Sequence, residues 1–500
     1  MRPPPRPRRP PYWTLIAFVA LISVPFSWAV VAMLAAAAGR LALAAVRRAG
    51  HRRQERAGHQ AEGGGVRLGV DERGREVRLS DHQLAAHGLI VGASGAGKST
   101  TLLGILCDQI ARGLPVVAID LKGSPAFSRE LQHAAVLAGR PFRVWSPDGP
   151  SHWNPLAHGN ATELKDKLIA TERFTEPHYQ RAAERYVQTA LQVLHAAGRE
   201  PQLAELIQLM EPKRLAATVR NLEPPLAERV QDYVGGLTPD QISAVRGLGT
   251  RLAILSESHA GPYLAPAAAG LTSTTIDLAA ALEGPEVVLF SLNSSIYGKL
   301  AAQLGTLAIQ DLVSATGHRL ERTGGGVAIQ ATVGIDEFSA LGADHVLALL
   351  ARGREAGVSV LLATQELADL ERAARGFRDQ VLGVTAVKLA HRQDVPTSAQ
   401  TISQMAGTEP VWEETHQIRS PFSGGQGSRG TRRLGEQFVV HPNEIKALET
   451  GQAVLLTKIP SAQATRVLVS PPRHEPPRHK PPRNPPGLGR GDQPDPGVTR

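Results

Sequence analysis

At residues 87–100 the chain reads His87-Gly88-Leu89-Ile90-Val91, followed directly by Gly92-Ala93-Ser94-Gly95-Ala96-Gly97-Lys98-Ser99-Thr100. The first five residues predict a short buried strand, and the next eight, from Gly92 to Ser99, match the pattern G-x-x-x-x-G-K-[ST]. A helical pattern from Leu102 to Ile110 comes next. A strand, a glycine-rich loop and a helix in this order predict a P-loop in a parallel α/β fold.

Each position of the predicted P-loop has a physical role. Glycines let the backbone wrap phosphate groups with its N–H groups pointing inward, and the following helix N-terminus adds partial positive charge. We expect Lys98 to reach the β- and γ-phosphates and the Ser99 hydroxyl to ligate Mg²⁺. The expected cofactors are therefore ATP and Mg²⁺, held by residues 92–100. A chance glycine-rich turn is the alternative, and the flanking strand and helix argue against it.

Two apolar stretches that end in acidic residues are candidates for the second carboxylate strand. One covers residues 116–120 and ends at Asp120; the other covers 333–337 and ends in Asp336 and Glu337. Ligands bind at the carboxyl ends of parallel strands, and two adjacent carboxylates can divide two tasks. We therefore favour the second stretch, with Asp336 as a Mg²⁺ ligand beside Ser99. Glu337 is then expected to orient and deprotonate the attacking water.

Length, charge and cysteine content narrow the function classes. A chain of 500 residues is longer than one domain needs. Its formal net charge of +9 makes a polyanionic partner plausible, although much of the excess lies at the two ends. A single cysteine, Cys107, excludes an intrachain disulfide and a cysteine-based metal site, which fits a reducing compartment.

The N-terminal region carries a targeting signal. An arginine- and proline-rich start is followed by an apolar run from Tyr12 to Ala38, which predicts a transmembrane anchor. A cleaved signal peptide is disfavoured because the run is too long and the residues after it are again basic. One long helix and a short hairpin bent near Pro25 both stay open. The region after the anchor must meet ATP in the cytoplasm. We therefore expect the protein to lie in the inner membrane, with its ATPase part in the cytoplasm.

Further motifs follow in a characteristic order. They are Asp120-Leu121-Lys122-Gly123, Asn154-Pro155-Leu156, Asp336-Glu337-Phe338-Ser339, Arg352-Gly353-Arg354-Glu355-Ala356-Gly357 and Thr364-Gln365. With the anchor, this set resembles the coupling proteins of type IV secretion and conjugation systems, the TraG/TraD family, relatives of FtsK and HerA translocases. The resemblance covers about 66–469. It implies a RecA-like P-loop core with an inserted all-α domain, in a membrane-tethered homo-hexamer that hands DNA, or a relaxase–DNA complex, to a secretion channel.

The pattern of elements gives the expected domain boundaries. We expect a basic N-terminus and membrane anchor in 1–58, and the first part of the nucleotide-binding domain in 59–159. Residues 160–265 lack strand patterns and are expected to form the inserted all-α domain. The nucleotide-binding domain then resumes in 266–469. Residues 470–500 are rich in proline and arginine and predict a disordered tail.

The sequence departs from the family pattern at three places. The anchor looks short for two helices, Ser124 stands where an acid is more usual, and the tail is basic rather than acidic. A segment at 423–426, Ser-Gly-Gly-Gln, looks like an ABC-transporter signature, but it comes after the second carboxylate strand in a glycine-rich stretch. We interpret that stretch, 419–433, as a loop.

Three functions stay open at this stage. The first is a coupling-protein motor for DNA, with single-stranded DNA favoured by the Asn-Pro motif and the helical insert. The second is an FtsK-like translocase of double-stranded DNA, which would more often carry a winged-helix reader at its C-terminus. The third is a membrane receptor that docks secretion substrates without acting as a motor, although the complete catalytic set argues against it.

Two further residues are candidates for catalysis. Gln365 follows the strand at 358–363 and is placed to sense the γ-phosphate within its own subunit. Arg354 precedes that strand, at the end away from the site, where it can face a neighbouring subunit as an arginine finger. Arg352 is the alternative finger, and an exposed arginine stabilising a helix C-terminus is the non-catalytic interpretation.

Overall fold

The computed structural model describes residues 65–172, 174, 176–268, 274–324, 330–416 and 430–472. The predicted membrane anchor in 1–58, the 423–426 segment and the tail beyond residue 472 lie outside this part of the chain. Within it, no helix combines the length and the hydropathy needed to cross a membrane.

Alternating apolar residues and turn signals produce short strands throughout the described regions. They are β1 (Gly65–Asp71), β2 (Glu76–Ser80), β3 (Gly88–Val91), β4 (Val116–Asp120), β5 (Phe142–Trp145), β6 (His152–Trp153), β7 (Thr275–Ile276), β8 (Val287–Ser291), β9 (Ala331–Asp336), β10 (Val358–Thr364), β11 (Val387–Ala390), β12 (Thr408–His416), β13 (Gly430–Phe438), β14 (Gln452–Thr457) and β15 (Gln463–Val469). The prediction of a loop over 419–433 is wrong for residues 430–433, which belong to β13, and the rest of that stretch lies outside the described residues.

Helices connect most of these strands. They are α1 (Asp81–Ala85), α2 (Lys98–Ala111), α3 (Pro125–Leu137), α4 (Ala161–Ile169), α5 (Pro177–Ala196), α6 (Leu203–Leu209), α7 (Pro212–Val219), α8 (Pro224–Gly235), α9 (Pro239–Ser256), α10 (Leu278–Ala281), α11 (Ser294–Tyr297), α12 (Lys299–Thr323), α13 (Ala343–Gly353), α14 (Leu367–Ala373), α15 (Phe377–Val384), α16 (Pro396–Ala406) and α17 (Pro442–Lys446). Short 3₁₀ turns cover Gly261–Tyr263 and Phe338–Ala340.

Eleven strands form one mixed sheet in the order β2-β1-β15-β14-β11-β3-β10-β9-β4-β8-β5. The seven strands from β11 to β5 are parallel, and the remaining neighbours pair antiparallel. The P-loop strand β3 and the carboxylate strand β9 are separated only by β10. All three are buried along their length, as expected for parallel strands covered on both faces.

The two faces of the sheet pack into different parts of the core. Leu89 and Val91 of β3 contribute to one apolar cluster, while Ile90 between them contributes to the other, because successive side chains of a strand point to opposite faces. Trp145, Trp153 and Phe290 meet on the first face, with ring centroids 5.0–5.7 Å apart. This cluster continues into the helices α4–α9.

Helices α4–α9 are inserted between β6 and β7. The α5 helix buries one stripe of side chains, among them Ala183, Tyr186 and Leu194, which gives it the amphipathic character of a packed helix. The α9 helix begins with a capping box, in which the Thr238 hydroxyl accepts from the Gln241 backbone and the Gln241 side chain accepts from the Thr238 backbone. The Asn154 amide connects this insert to the end of β6, which pairs with β7 in a separate two-stranded sheet, since it donates to Glu200 Oε1 and to the Pro201 carbonyl, both at 3.0 Å.

Candidate nucleotide-binding site

The P-loop connects the buried strand β3 to the helix α2, which begins at Lys98. Gly95 and Gly97 have φ angles of +74° and +111°, a region that residues with a Cβ rarely adopt. At Gly92 a Cβ would lie 2.6 Å from the Cβ of His391, so only glycine fits there. These glycines hold the loop in a wrapped form, in which the N–H groups of Ala93 and Ala96 donate to the Arg392 and Ala93 carbonyls. A loop of this form can direct its other N–H groups at phosphate oxygens.

Lys98 lies inside this loop. It is 4% exposed, and its Nζ donates to the Ala93 carbonyl at 3.2 Å. Burial, followed by the nearby charge of Lys122, lowers the pKa of Lys98, while the carboxylates of Asp336 and Glu337 act in the opposite direction. A phosphate beside the Lys98 amine would stabilise its charged form and so raise the pKa that burial lowers.

Ser99 and Asp336 meet as the predicted Mg²⁺ pair. The Ser99 hydroxyl donates to Asp336 Oδ2 at 2.7 Å, and Asp336 is 1% exposed at the end of β9. One hydroxyl and one carboxylate suit Mg²⁺, which keeps several waters and takes further ligands from substrate phosphates. No cluster of three or more His, Cys, Asp or Glu side chains that could hold a metal on its own occurs among the described residues. The donor set therefore fits a metal that arrives with a nucleotide.

Glu337 follows directly and is oriented by its backbone. Its φ of +58° is unusual for a residue with a side chain, and its N–H donates to Asp336 Oδ1 at 3.0 Å. The Gln365 amide donates to Glu337 Oε1 at 2.9 Å. Because β10 lies between β3 and β9, its carboxyl end brings Gln365 between the P-loop and the carboxylates.

Asp120, the competing carboxylate, has a different use. It lies beside Asp336 in the parallel register of β4 and β9. Its carboxylate accepts the N–H groups of Lys122 at 2.9 Å and Ser124 at 2.6 Å, and burial raises its pKa. Asp120 therefore shapes the turn after β4, whereas Asp336 is the carboxylate within hydrogen-bond distance of Ser99.

Lys122 contacts the predicted catalytic carboxylates, a role that the sequence analysis did not assign. Its Nζ lies 2.6 Å from Glu337 Oε1 and 3.8 Å from Asp336 Oδ2. Burial alone would lower the pKa of Lys122, but Asp336 and the hydrogen bond to Glu337 outweigh burial and raise it. The only available signal was its position two residues after the acid that ends β4.

A segment from the far end of the chain also contacts the P-loop. The Gly451 N–H donates to the Ala96 carbonyl at 3.1 Å, and the Thr450 hydroxyl donates to the Gly95 carbonyl at 3.3 Å. No sequence motif marks this turn, which precedes β14. Its contacts arise from the antiparallel pairing of β14 with β11, which brings the turn beside β3.

His391 connects the P-loop helix to the same C-terminal segment. Its Nε2 lies 2.9 Å from the Thr101 hydroxyl, and its Nδ1 lies 2.9 Å from the Gln452 carbonyl. Burial lowers the pKa of His391 to about 4, so the ring is neutral at pH 7. A carbonyl can only accept, so we assign Nδ1–H as the donor to Gln452 and Nε2 as the acceptor from Thr101. Sequence reasoning missed this residue because nothing local marks it.

The arginines predicted as fingers lie elsewhere. Arg354 and Arg352 are exposed at the C-terminal end of α13, which precedes β10 at the edge of the sheet opposite the P-loop. The structure thus brings Lys98, Ser99, Asp336, Glu337 and Gln365 together within one chain. It leaves both arginines before β10, at the opposite end of that strand from these residues.

Comparison by sequence supports the resemblance to the TraG/TraD family. Residues 330–450 match the family model described as the TraM recognition site of TraD and TraG. This region contains Asp336, Glu337, Arg354 and Gln365. No curated protein matches the sequence.

Comparison by structure finds the same fold in a conjugative coupling protein and in VirB4. The plasmid coupling protein TrwB, solved with the non-hydrolysable ATP analogue ADPNP, matches with a TM-score of 0.58 and 15% identity over 82% of this chain and 90% of that one. TrwB solved with ADP and Mg²⁺ matches with a TM-score of 0.56 and 14% identity, over 82% and 94%. VirB4 of Thermoanaerobacter pseudethanolicus matches with a TM-score of 0.52 and 13% identity, over 82% and 97%. The chain therefore has the mixed α/β P-loop fold of these proteins.

Proposed function

We propose that this protein is an ATP-driven coupling protein of the TraG/TraD type, which recruits DNA or a relaxase–DNA complex and passes it to a type IV secretion channel. The observation that carries the proposal is the assembly of Ser99, Asp336, Glu337 and Gln365 at the ends of neighbouring strands. They form this array in a chain whose 330–450 region matches the TraG/TraD family model. The strand order around β3, β10 and β9 supports a RecA-like core, with α4–α9 as its inserted all-α domain.

The residues divide the hydrolysis of ATP between them. Lys98 and the P-loop N–H groups bind the phosphates, and Ser99 and Asp336 hold Mg²⁺. When bound, Mg²⁺ neutralises charge on the phosphate oxygens. Glu337 takes a proton from the attacking water, and Gln365 keeps the Glu337 carboxylate oriented.

Partners and location follow from the family resemblance. We infer a homo-hexamer that is anchored by the predicted segment in 1–58 to the inner membrane, with its ATPase part in the cytoplasm. The match to a recognition-site family at 330–450 supports contact with a relaxosome or another secretion substrate. Single-stranded DNA is the favoured nucleic acid, and the net charge of +9 supports binding to a polyanion.

The test is ATPase activity of the full-length chain without DNA, with single-stranded DNA and with double-stranded DNA. We expect hydrolysis that single-stranded DNA stimulates more, and a stimulation that falls steeply with salt because phosphate contacts release counterions. The Glu337→Gln variant is the matched control, since it keeps the shape of the side chain while losing its basicity. It should bind nucleotide and turn over about 10²- to 10⁴-fold more slowly.

Each alternative has its own outcome in this test. Wild-type protein that hydrolyses no ATP under any of the three conditions would contradict the motor and favour a docking receptor. Stronger stimulation by double-stranded DNA would favour a translocase of the FtsK kind.

A further inference from the structure

Lys122 makes an ion pair with Glu337, the carboxylate that the proposed function assigns as general base. The Lys122 side chain is 39% exposed, whereas the Glu337 side chain is 15% exposed and that of Asp336 is 1% exposed. The amine thus enters from the solvent side and contacts a carboxylate that is largely enclosed.

Two donors converge on one atom of this carboxylate. Lys122 Nζ lies 2.6 Å from Glu337 Oε1, and the Gln365 amide donates to the same oxygen at 2.9 Å. Two donors on one oxygen, one of them charged, restrict the orientation of the carboxylate. Oε2 is then the oxygen directed to receive a proton.

The backbone around Lys122 is fixed on both sides. The Asp120 carboxylate accepts the N–H groups of Lys122 and Ser124, and the Leu121 carbonyl accepts the N–H of Ser294 at 2.7 Å. Gly123 has a φ of +63°, and a Cβ there would lie 2.5 Å from the Cβ of Asn293. A residue on such a constrained turn can place its side chain reproducibly.

We propose that Lys122 is a positioning residue for ATP hydrolysis: together with Gln365 it orients the Glu337 carboxylate toward the attacking water. The inference rests on the proposed function, because it assigns Lys122 a part in the same reaction. Partly exposed ion pairs contribute little to stability, so the contact matters for geometry rather than for holding the fold together. A displacement of about 1 Å in a catalytic group can cost about 10²-fold in rate.

The first test compares variants of Lys122 in the full-length chain. Lys122→Met keeps the length of the side chain without the charge or the donors. We expect its kcat to fall by about 10- to 100-fold, while its KM for ATP stays within about threefold of wild type. Lys122→Arg keeps a charged donor and should retain a larger share of kcat. Lys213→Met, at an exposed lysine of α7, is the matched control and should behave as wild type.

The second test is a double-mutant cycle with Glu337→Gln. If Lys122 acts through the carboxylate of Glu337, Lys122→Met should add little further loss in the Glu337→Gln background. A contribution of Lys122 that is independent of Glu337 would instead make the two losses multiply, and that result would overturn the proposal.

Gly123→Ala provides a variant that leaves all charged groups in place. Its added Cβ must displace the turn away from Asn293, so we expect a lower kcat with the lysine still present. Thermal unfolding of each variant separates a lower kcat from misfolding. If Gly123→Ala does not fold, Lys122→Arg and the double-mutant cycle still decide whether Lys122 positions Glu337.

The outcomes separate this inference from the proposed function. Active wild-type protein with an equally active Lys122→Met variant overturns the inference alone. A raised KM at unchanged kcat also overturns it, because Lys122 would then bind nucleotide rather than position the base. Wild-type protein that hydrolyses no ATP removes the proposed function, and the inference with it.

Discussion

The carboxyl ends and the amino ends of the parallel strands β3, β9 and β10 carry polar residues of very different kinds. We call them the carboxyl edge and the amino edge of the sheet. At the carboxyl edge, Ser99, Asp336, Glu337, Gln365 and Lys122 contact one another within hydrogen-bond or ion-pair distance. At the amino edge, His87 is enclosed before β3, while Arg352 and Arg354 project into solvent after α13. The same sheet therefore presents one edge whose polar side chains converge within the chain and one whose arginines lie away from that group.

This difference shows what a single chain can and cannot do. Groups that bind and hydrolyse a nucleotide must converge on one point, and the carboxyl ends of parallel strands provide that convergence. A cation at the opposite edge contributes to the same reaction only if a neighbouring subunit places it there. The carboxyl edge is therefore the candidate nucleotide site, and the amino edge is a candidate source of an arginine for the site of a neighbouring subunit.

The largest effect is expected from Lys98→Ala at the carboxyl edge. The phosphates lose their charged contact, so turnover should fall below detection, at least about 10³-fold, and binding of an ATP analogue should weaken as well. ATPase assays and titration with a fluorescent ATP analogue measure the two quantities. Wild-type turnover in this variant would contradict the P-loop assignment.

The next effect tests the amino edge. If Arg354 is an arginine finger, Arg354→Ala should lose about 10³-fold or more in turnover in the assembled protein, because charge developing on the γ-phosphate is no longer neutralised. Unlike Lys98→Ala, it should still bind the ATP analogue. The measurement is steady-state ATPase activity of the assembled protein with DNA, and Arg352→Ala is the matched control two residues away.

Mixing the two inactive variants sharpens this comparison. If the protein forms the proposed hexameric ring, rings that mix Lys98→Ala and Arg354→Ala subunits contain some interfaces that combine an intact P-loop with an intact arginine, so part of the ATPase activity should return. An Arg354→Ala protein that hydrolyses ATP normally in assembled rings would show that the finger assignment is wrong. Recovery limited to mixtures with Arg352→Ala would transfer the role to Arg352.

The carboxyl edge also shows how far sequence reasoning reaches. The P-loop could be predicted because its chemistry requires adjacent residues, and Asp336 with Glu337 because two acids follow an apolar strand. The α/β P-loop fold that these motifs predicted agrees with the structures of TrwB and VirB4, whereas the antiparallel side of the sheet, where β14 and β15 join β1 and β2 to β11, was not predicted. The positions of Gln365 and Arg354 at opposite ends of β10 also agree with the sequence expectation, while the roles assigned to both residues stay predictions.

Other parts of the site could not be predicted for a physical reason. His391 and the turn at Thr450 and Gly451 reach the P-loop through pairing between strands that are distant in sequence. Register of this kind depends on the whole sheet, and a local pattern does not encode it. Lys122 was visible in the sequence, but its contact with Glu337 depends on the alignment of β4 beside β9.

The smallest effect concerns pH and uses one buried histidine from each edge. His87 Nε2 lies 2.8 Å from the Leu350 carbonyl and its Nδ1 accepts the Val360 N–H at 3.1 Å, while His391 lies beside the P-loop. Burial lowers the pKa of each to about 4, below the ordinary value of about 6.5 in the unfolded chain. As pH falls from about 6.5 toward 4, the unfolded state gains protons before the folded state does. The stability contributed by each neutral ring is therefore present above about pH 6.5 and is lost below it, by about 1.4 kcal/mol per pH unit.

Replacing either histidine should remove its share of this pH dependence. Between pH 7 and pH 5, the free energy of unfolding of His87→Gln or His391→Gln should fall by about 2 kcal/mol less than that of wild type, as measured by urea unfolding. His82→Gln, at an exposed histidine, is the control and should follow wild type.

The two edges then separate in a second measurement, the binding of an ATP analogue at pH 7. His391→Gln should weaken binding of an ATP analogue, because the imidazole that connects Thr101 to the Gln452 carbonyl beside the P-loop is lost. Thr101 then keeps the Gly97 carbonyl as its partner. His87→Gln should leave binding unchanged. Equal weakening by both variants would mean that the amino edge influences the nucleotide site from within the same subunit, and the division between the two edges would be wrong.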